Sequence, residues 1–485
     1  MNKVKEILHK TESVFDAKKT ALLLFGVYIV SLLSLLRANY SYIDDMGRAA
    51  YGYTGWEERF SRYLSTFSSY VLHAGKYLSD ISPLPQIIAV CVMISASMIL
   101  LYIVTGEKKY TIWELIAVIP MGLSPYFLEC FSYKYDAPYM ALSVLASIAP
   151  ILLIKKKNWI YILGTFFSSI AMCTSYQASS GIFPMIVILL SFLCWNKGEK
   201  IADIGSFIVK SAAGYLLGIL FYQFFLMKPA ESYVSNSIAS PKEIIKHYIT
   251  YFELLYNDLK KIWLVFIGII CICFIICMIK SSRQKKIVAF FVSIFTITAM
   301  AFLSWGLYPA LSTPLTAPRA MYGFGVFISL ISLSVVSIIK KQYLLKFVSL
   351  VLSWCFIIFS LTYGNALAEQ EKYADFRIET VIQDLNNLEI FQLDSEKKIQ
   401  ITGTIGWAPI IRNKPQHYRI LNRLVPITFQ EKSFWGDYKL LHYYGVENLV
   451  RDTSIDLTVL DLPKVRDTMY HNIYADKNNV LIELK

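Results

Sequence analysis

Apolar residues fall into eleven long runs, at 20–38, 84–104, 112–128, 137–154, 159–175, 180–195, 205–227, 262–279, 287–305, 321–339 and 343–363, with polar residues gathered between them. Each run is near the ~20 residues that cross the ~30 Å hydrocarbon layer of a bilayer. Backbone groups in lipid have no water to bond, so such runs must satisfy themselves as helices. A membrane β-barrel would instead show alternating segments of about ten residues, and these runs do not alternate. The pattern therefore predicts an α-helical polytopic membrane protein with about eleven transmembrane helices.

The polar stretches alternate in kind. Lys3, Lys5, Lys10, Lys18 and Lys19 precede the first run; Lys108 and Lys109, Lys155 to Lys157, Lys197 and Lys200, Lys280, Arg283, Lys285 and Lys286, and Lys340 and Lys341 fill every second gap. Short basic loops stay on the cytoplasmic side. This rule places the N-terminus inside and everything after Tyr363 outside. The other gaps, 39–83, 129–136, 176–179, 228–261 and 306–320, carry acids, arginines, tyrosines and prolines, and loops held by a rigid scaffold are where function collects. The first of them, at 55–78, has apolar residues at helical spacing (Phe60, Tyr63, Leu64, Phe67, Val71) and predicts an amphipathic helix lying in the interface. The first apolar run is too long for a signal peptide and lacks a small-residue cleavage site, so it is expected to remain as an anchor.

Two domains follow: a transmembrane module over 1–363 and a small extracytoplasmic α/β domain over 364–485. In the second, 366–388 reads as helix, 399–403, 457–462 and 480–484 read as strands, and 476–479 as the turn before the last strand.

Composition narrows the picture. Of 485 residues, 55% are hydrophobic and only 17% charged, where a soluble chain would have about a quarter charged. The net charge of +12 would suggest nucleic acid in a soluble protein. Here the basic residues sit at the ends of apolar runs, and no basic face with interleaved aromatics appears, so no nucleic-acid partner is expected. The eight cysteines lie nearly all in apolar runs and read as small hydrophobes. Cys271 and Cys273 have no histidines near them, so no metal site is expected. No P-loop, HExxH, GxSxG or paired CxxC occurs, which argues against an ATP-driven pump, a zinc peptidase and a common serine hydrolase.

Chemistry is concentrated in the acid- and arginine-bearing gaps. Asp44 and Asp45, adjacent at the membrane surface, suit a general base whose pKa is tuned by low water access; a solvated turn ending a helix is the plain alternative. Arg48, Arg59 and Arg62 share the loop, and guanidinium groups at headgroup depth grip phosphate bidentately, or else touch headgroups and pair with Glu57 and Glu58. Glu129, Lys134 and Asp136 lie between the third and fourth runs, and ionisable groups so close to the bilayer are functional suspects; the alternative is a Lys134–Asp136 ion pair. Tyr176 and Gln177, at the tip between the fifth and sixth runs, could hydrogen-bond a sugar or sit in an aromatic belt. Lys210 reads as a snorkelling side chain; Arg319, just before the tenth run, could face a phosphate, although an ordinary role is favoured.

These residues resemble a known family. The element Asp44-Asp45…Arg48, then Gly55-Trp56…Arg59, the stretch Asp80-Ile81-Ser82-Pro83-Leu84-Pro85-Gln86, and above all Leu123-Ser124-Pro125-Tyr126-Phe127-Leu128-Glu129 followed by Tyr133-Lys134-Tyr135-Asp136, with Tyr176-Gln177 beyond, are similar to GT-C-type membrane glucosyltransferases that decorate bacterial surface polysaccharides, the O-antigen serotype-converting enzymes. The motifs cover about the first 180 residues. The resemblance implies a hexosyltransferase in the bacterial plasma membrane. Its donor is a sugar on a polyprenyl monophosphate, expected to be undecaprenyl-phosphate-glucose, and its acceptor a surface polysaccharide on the outer face. An upstream polyprenyl-phosphate glycosyltransferase and a flippase would supply the donor. It implies Asp44 or Asp45 as catalytic base, with Arg48, Arg59, Arg62, Glu129, Lys134, Asp136, Tyr176 and Gln177 binding substrate. No cofactor is expected, since cationic side chains can neutralise a monophosphate leaving group. Lys134 stands where arginine or lysine is expected, keeping the charge without bidentate geometry. A lipid-linked glycan flippase, or a polysaccharide polymerase or ligase using a lipid diphosphate, are the rival classes.

Overall fold

A computed structural model describes residues 14–228, 237–338, 343–390, 397–431, 433, 436, 438–446, 449–451 and 455–485. Lys3, Lys5, Lys10, Lys340 and Lys341 of the basic gaps lie outside them. Helices form at all eleven apolar runs. In chain order the helices up to residue 387 are α1 (Ala17–Ala38), α2 (Asp44–Tyr51), α3 (Trp56–Phe60), α4 (Tyr63–Leu72), α5 (Leu84–Thr105), α6 (Ile112–Val118), α7 (Pro120–Leu123), α8 (Pro125–Ser132), α9 (Ala137–Ile148), α10 (Asn158–Ser175), α11 (Ile182–Asn196), α12 (Ile201–Phe221), α13 (Pro241–Asp258), α14 (Lys261–Ser281), α15 (Lys286–Leu303), α16 (Gly323–Ile338) and α17 (Tyr343–Asn387).

Seven described helices are long and apolar enough to cross a membrane, and an eighth joins them if the bent pair Ile112–Leu123 and Pro125–Ser132 counts as one. The stretches Ala137–Leu153 and Gly323–Ser337 are shorter apolar helices. The chain is thus a mostly helical membrane protein, with crossing length shown for seven or eight of the eleven expected spans.

The 58° bend of that pair has a local cause. Proline disfavours the helical conformation of the residue before it, and Ser124, preceding Pro125, is extended at φ −58°, ψ 145°. Close helix packing holds the bend in place. At Gly325 of α16 an added Cβ would meet the Pro120 carbonyl oxygen at 2.6 Å, so only glycine lets α16 approach the bend. A similar device joins α12 to α10. Cβ atoms at Gly214 and Gly218 would lie 2.7 and 2.6 Å from the carbonyls of Ile162 and Phe166, and small residues four apart are how membrane helices come together.

The polar gaps segregate to the two ends of the bundle. At one end strand β1 (Val14–Asp16) pairs antiparallel with β2 (Lys109–Thr111), and the gap after α11 meets the gap after α14, where Arg283 N donates to Asn196 O at 2.9 Å. These are basic gaps. At the other end gather the acid- and arginine-bearing ones, together with part of the tail.

The tail holds a five-stranded mixed sheet in the order β4 (Leu449–Arg451), β3 (Lys397–Gly403), β7 (Asn479–Leu484), β6 (His471–Ala475), β5 (Lys464–Asp467). β3 runs parallel to β4 and β7, and β6 antiparallel to β7 and β5. One sheet face, with Ile399, Ile401, Ile473, Val480 and Ile482, packs on Ala374, Ile378, Val381 and Leu385 of α17 as one hydrophobic cluster. Ile411, Ile420, Leu421 and Leu424, although in the tail, belong to the core of the membrane bundle instead. The 45-residue α17 runs without a break from the last apolar run into the tail.

Two local expectations need correction. The interfacial helix expected over 55–78 is broken: α3 ends at Ser61, whose φ of 54° takes the chain out of helix before α4 begins. The strand expected at 457–462 is a single 3₁₀ turn, Leu457–Val459. The Asp456 carboxylate accepts from Thr458 N at 3.0 Å, the sort of local bond by which aspartate competes with a sheet ladder. The turn expected at 476–479 does link the last two strands.

Candidate active site

The site starts with a chain reversal. After α1 the backbone passes through Ile43 at φ 44°, ψ −98°, a conformation that is a true outlier for a β-branched residue. Such strain persists only where its surroundings impose it, and it clusters at functional positions. The reversal starts α2 and sends its first two residues to different places. Asp45 is fully buried, and its Oδ2 accepts from the backbone N–H of Tyr42 at 3.0 Å and of Lys134 at 2.9 Å. Its Oδ1 is buried without a partner. Burial pushes its pKa up to about 8, against the two N–H groups that pull it down. Asp44 is half-buried, and no hydrogen bond or ion pair holds its carboxylate among the described residues.

Arg48, one turn further along α2, is buried between Asp136 (Nη2 to Oδ1, 3.2 Å) and the ring of Trp56, 4.5 Å from its guanidinium carbon. The 3.2 Å contact is an ion pair outside hydrogen-bond geometry, since Asp136 Oδ1 has no hydrogen-bond donor. Burial raises the pKa of Asp136, and Arg48 opposes the rise.

Lys134 is placed by the bend at Ser124, which turns α8 and the residues after it towards the first gap. Its Nζ reaches Asp80 Oδ2 at 3.1 Å and Ser41 Oγ at 3.3 Å. Asp80 accepts from both Ser82 N and Ser82 Oγ, and these bonds together with Lys134 hold its pKa below the usual carboxylate value despite burial. The Lys134–Asp136 pair, the alternative reading of these residues, does not form; two pairs cross the gaps instead, Lys134–Asp80 and Arg48–Asp136.

Glu129, on α8, is buried beside these pairs. Arg319 donates to it from Nη1 at 2.7 Å and also from its backbone N–H. Tyr42 joins this group to the first, its ring edge-on to Tyr133 with centroids 4.9 Å apart. A third group lies alongside. The Arg62 guanidinium sits 4.4 Å from the Tyr176 ring centre, and its Nε donates to Gln177 Oε1 at 3.2 Å. Gln177 Nε2 in turn donates to Tyr222 Oη and to the Phe60 carbonyl.

The structure therefore brings Asp44, Asp45, Arg48, Lys134 and Asp136 together, with Glu129 adjoining and Arg62, Tyr176 and Gln177 next to it. Arg59 stands apart, exposed at the rim, its guanidinium 5.8 Å from the Tyr53 ring centre. Glu57 pairs with Lys228 at 3.7 Å, and no arginine pair to Glu57 or Glu58 is seen among the described residues. For two residues at this site the sequence does not disclose the partner. Arg319 looked ordinary because its partner lies 190 positions away. Asp80 was visible within its proline-containing motif, but nothing local marks it as the partner of Lys134. No three acids, histidines or cysteines among the described residues are close enough to hold a metal ion.

A sequence model of the family described as Glucosyl transferase GtrII matches residues 33–330. This chain belongs to that family. The match encloses every residue of the three groups, Arg319 included, and ends before the tail sheet. It makes the chain a membrane glycosyltransferase of the glucosyltransferase kind. A protein of Salmonella phage P22, described as an uncharacterized 55.3 kDa protein in the gtrB 5' region, is 24% identical over 435 residues, covering 85% of this chain and 87% of that one. The similarity to the phage protein thus extends well beyond the GtrII segment. No solved structure matches the chain.

Proposed function

We propose that this GtrII protein moves glucose from a polyprenyl-monophosphate carrier to a cell-surface polysaccharide, the O-antigen type of acceptor, in one inverting displacement. The observation that carries the reading is the contrast within one turn of α2: Asp45 is bonded into the fold, while Asp44 is left without a partner beside Arg48 and Asp136. In this reading an acceptor hydroxyl attacks the anomeric carbon from the face opposite the phosphate. Its proton passes to Asp44, the new glycosidic C–O bond forms, and the old one breaks with its electron pair leaving on the lipid phosphate. Positive groups aimed at that phosphate stabilise the charge as it develops. Arg48, Arg62 and Lys134 are such groups, with Arg59 at the rim where a lipid headgroup would enter. Asp45 is a positioning residue, tying the start of α2 to Lys134. Glu129, Asp136, Tyr176 and Gln177 shape the sugar pocket and orient the cations.

The basic gaps are then cytoplasmic by the charge rule, the tail is an extracytoplasmic domain, and the chain resides in a bacterial plasma membrane. An upstream enzyme that loads polyprenyl phosphate, and a flippase that turns it over, must supply the donor. Purified protein given polyprenyl-phosphate glucose and acceptor polysaccharide should add one hexose mass to the glycan repeat, with wild-type and Asp44→Asn proteins compared. Transfer from a lipid diphosphate alone, or wild-type transfer by Asp44→Asn, would refute the assignment.

A further inference from the structure

Helix α13 has two apolar faces, where one is enough to dock it. Tyr251 and Leu255 point into the bundle core. A second stripe, Ile245, Ile249, Phe252 and Tyr256, recurs at helical spacing, and Ile245, Ile249 and Tyr256 are more than half exposed. Exposed apolar residues are ordinary on a helix that crosses lipid, but α13 is not among the helices long and apolar enough to cross. It lies in a polar gap, carries Lys242, Glu243 and Lys246 in its first two turns, and is separated from the crossing helix α14 only by Leu259 and Lys260. Such an amphipathic helix lies along the membrane surface. Its second stripe forms a groove of about 620 Å³ with Phe302. That residue belongs to the last turn of the crossing helix α15, and its ring meets those of Tyr248 and Phe252 at 4.9 and 5.3 Å. Glu253 is the one charged residue among the described lining.

The groove opens into a place of different character. Tyr256 and Asn257 also line a second, polar cavity of about 220 Å³ at the start of α14. Lys260, Lys261 and Arg419 line that cavity, and none of the three has an ion-pair partner among the described residues. Lys260 is steadied by the Tyr418 ring, whose centre is 3.7 Å from Nζ, while Lys261 and Arg419 are exposed. The one carboxylate of the lining, Asp258, does not neutralise them. It is buried, accepts from Tyr126 Oη at 3.1 Å and pairs with Arg423. Cations grouped without a counter-charge repel one another and draw an anion.

We infer that the groove and the cationic cavity form one site for an anionic glycerophospholipid of the surrounding bilayer. Its phosphate lies against Lys260, Lys261 and Arg419, and an acyl chain runs along Ile245, Ile249, Phe252 and Phe302. A free phosphate would leave the apolar stripe uncovered, and a zwitterionic lipid brings a cation of its own to the cluster. The sugar carrier is the poorer occupant, because neither Asp44, Arg48, Arg62 nor Lys134 lines either cavity. The inference concerns lipid binding and stands without the proposed sugar transfer.

The test is native mass spectrometry of full-length protein in neutral detergent, titrated with dioleoylphosphatidylglycerol, dioleoylphosphatidylcholine, undecaprenyl phosphate and inorganic phosphate. The phosphatidylglycerol adduct should exceed the phosphatidylcholine adduct at least about fivefold at equal concentration. Lys261→Ala with Arg419→Ala should lower it at least about fivefold, and Ile245→Gln with Ile249→Gln at least about threefold. Lys155→Ala with Lys156→Ala, in a basic gap away from the groove, should keep at least about half of it. The substituted side chains are exposed, and a melting curve of each sample checks the fold. Should the Lys261 and Arg419 pair of substitutions not fold, Lys261→Glu alone should weaken the adduct in the same direction. Equal adducts of the two phospholipids, or a phosphatidylglycerol adduct indifferent to both groove variants, would overturn the inference. So would an adduct lowered as much by the Lys155 and Lys156 substitutions, which would make it general charge attraction. Displacement of phosphatidylglycerol by inorganic phosphate would leave an anion patch without a lipid. Displacement by undecaprenyl phosphate at lower concentration would give the groove to the sugar carrier, and either result overturns the inference.

Discussion

Two regions of this protein are rich in acids, and they are built in opposite ways. Around α2 and the segment 129–136, each carboxylate but one has been matched: Asp45 to two backbone N–H groups, Asp136 to Arg48, Asp80 to Lys134, Glu129 to Arg319. On the sheet face turned away from α17, the carboxylates lining a cavity meet no basic side chain among its described lining residues. Pairing buried charges fixes geometry, because the penalty for moving either partner is several kcal/mol. On the sheet face neutral side chains and backbone supply the donors instead: Glu483 accepts from Asn472 Nδ2 and Tyr474 Oη, and Asp456 from Gln400 Nε2 and Thr458 N. The first arrangement suits a step in which atoms must be held to fractions of an ångström, and the second ties the side chains of the sheet to one another.

The contrast can be broken in several places. The largest expected effect is at the exception in the first region. Asp44→Asn should cut transfer by about 10²–10⁴, the usual share of a general base, with no more than ~0.5 kcal/mol lost in stability, read by glycan mass analysis and thermal unfolding of the same sample. Next is Arg319→Ala, which leaves Glu129 charged and buried; about 3–5 kcal/mol of stability should go, seen as a lowered melting temperature. Restoring neutrality with Glu129→Gln in the same chain should recover part of it, whereas equal melting of Arg319→Ala and wild type would mean the pair carries no weight.

Asp45 gives a smaller effect with a definite sign. Its folded pKa, about 8, stands above the ~3.9 of a free aspartate, so the folded state holds the extra proton between those values. Stability from this group is full below the lower value and is lost as pH rises through about 8. Wild-type melting temperature should therefore fall between pH 6 and pH 8.5 more than that of Asp45→Asn, whose amide oxygen still accepts from Tyr42 and Lys134; parallel curves would refute it. The smallest effect is expected in the second region. Asp461→Asn removes one cavity acid with no buried partner to strand, and should change stability by under about 0.5 kcal/mol in the same melting assay.

What the sequence disclosed follows from how local each cause is. Hydrophobic length and proline position are local, so a helix was expected at each of the eleven apolar runs, and the Ser124-Pro125 bend has its cause within two residues; α2 and α13, which lie in polar gaps, were not expected. The partners of the charges are not local. Lys134 and Asp136 are two positions apart and invite pairing, yet they pair with Asp80 and Arg48 because the bend delivers them to another gap. Arg319 could be weighed as a phosphate contact, but nothing near it in sequence marks Glu129 as its partner. The difference between Asp44 and Asp45 was likewise hidden, since adjacent residues of one type are separated only by the reversal at Ile43. In the tail, alternation revealed β3 and β7, while the Asp456 side chain turned the expected strand at 457–462 into a tight loop.

The 45 residues of α17 make a rod of about 68 Å at 1.5 Å per residue, over twice the ~30 Å of a bilayer's oily layer. The sheet is mounted on the far half of that rod, so its distance from the apolar run is set by the length of a stiff mast. Insertion of a few residues into the mast would swing the sheet around the axis by ~100° for each residue added. The bearing of the sheet relative to the bundle is thereby written into helix length.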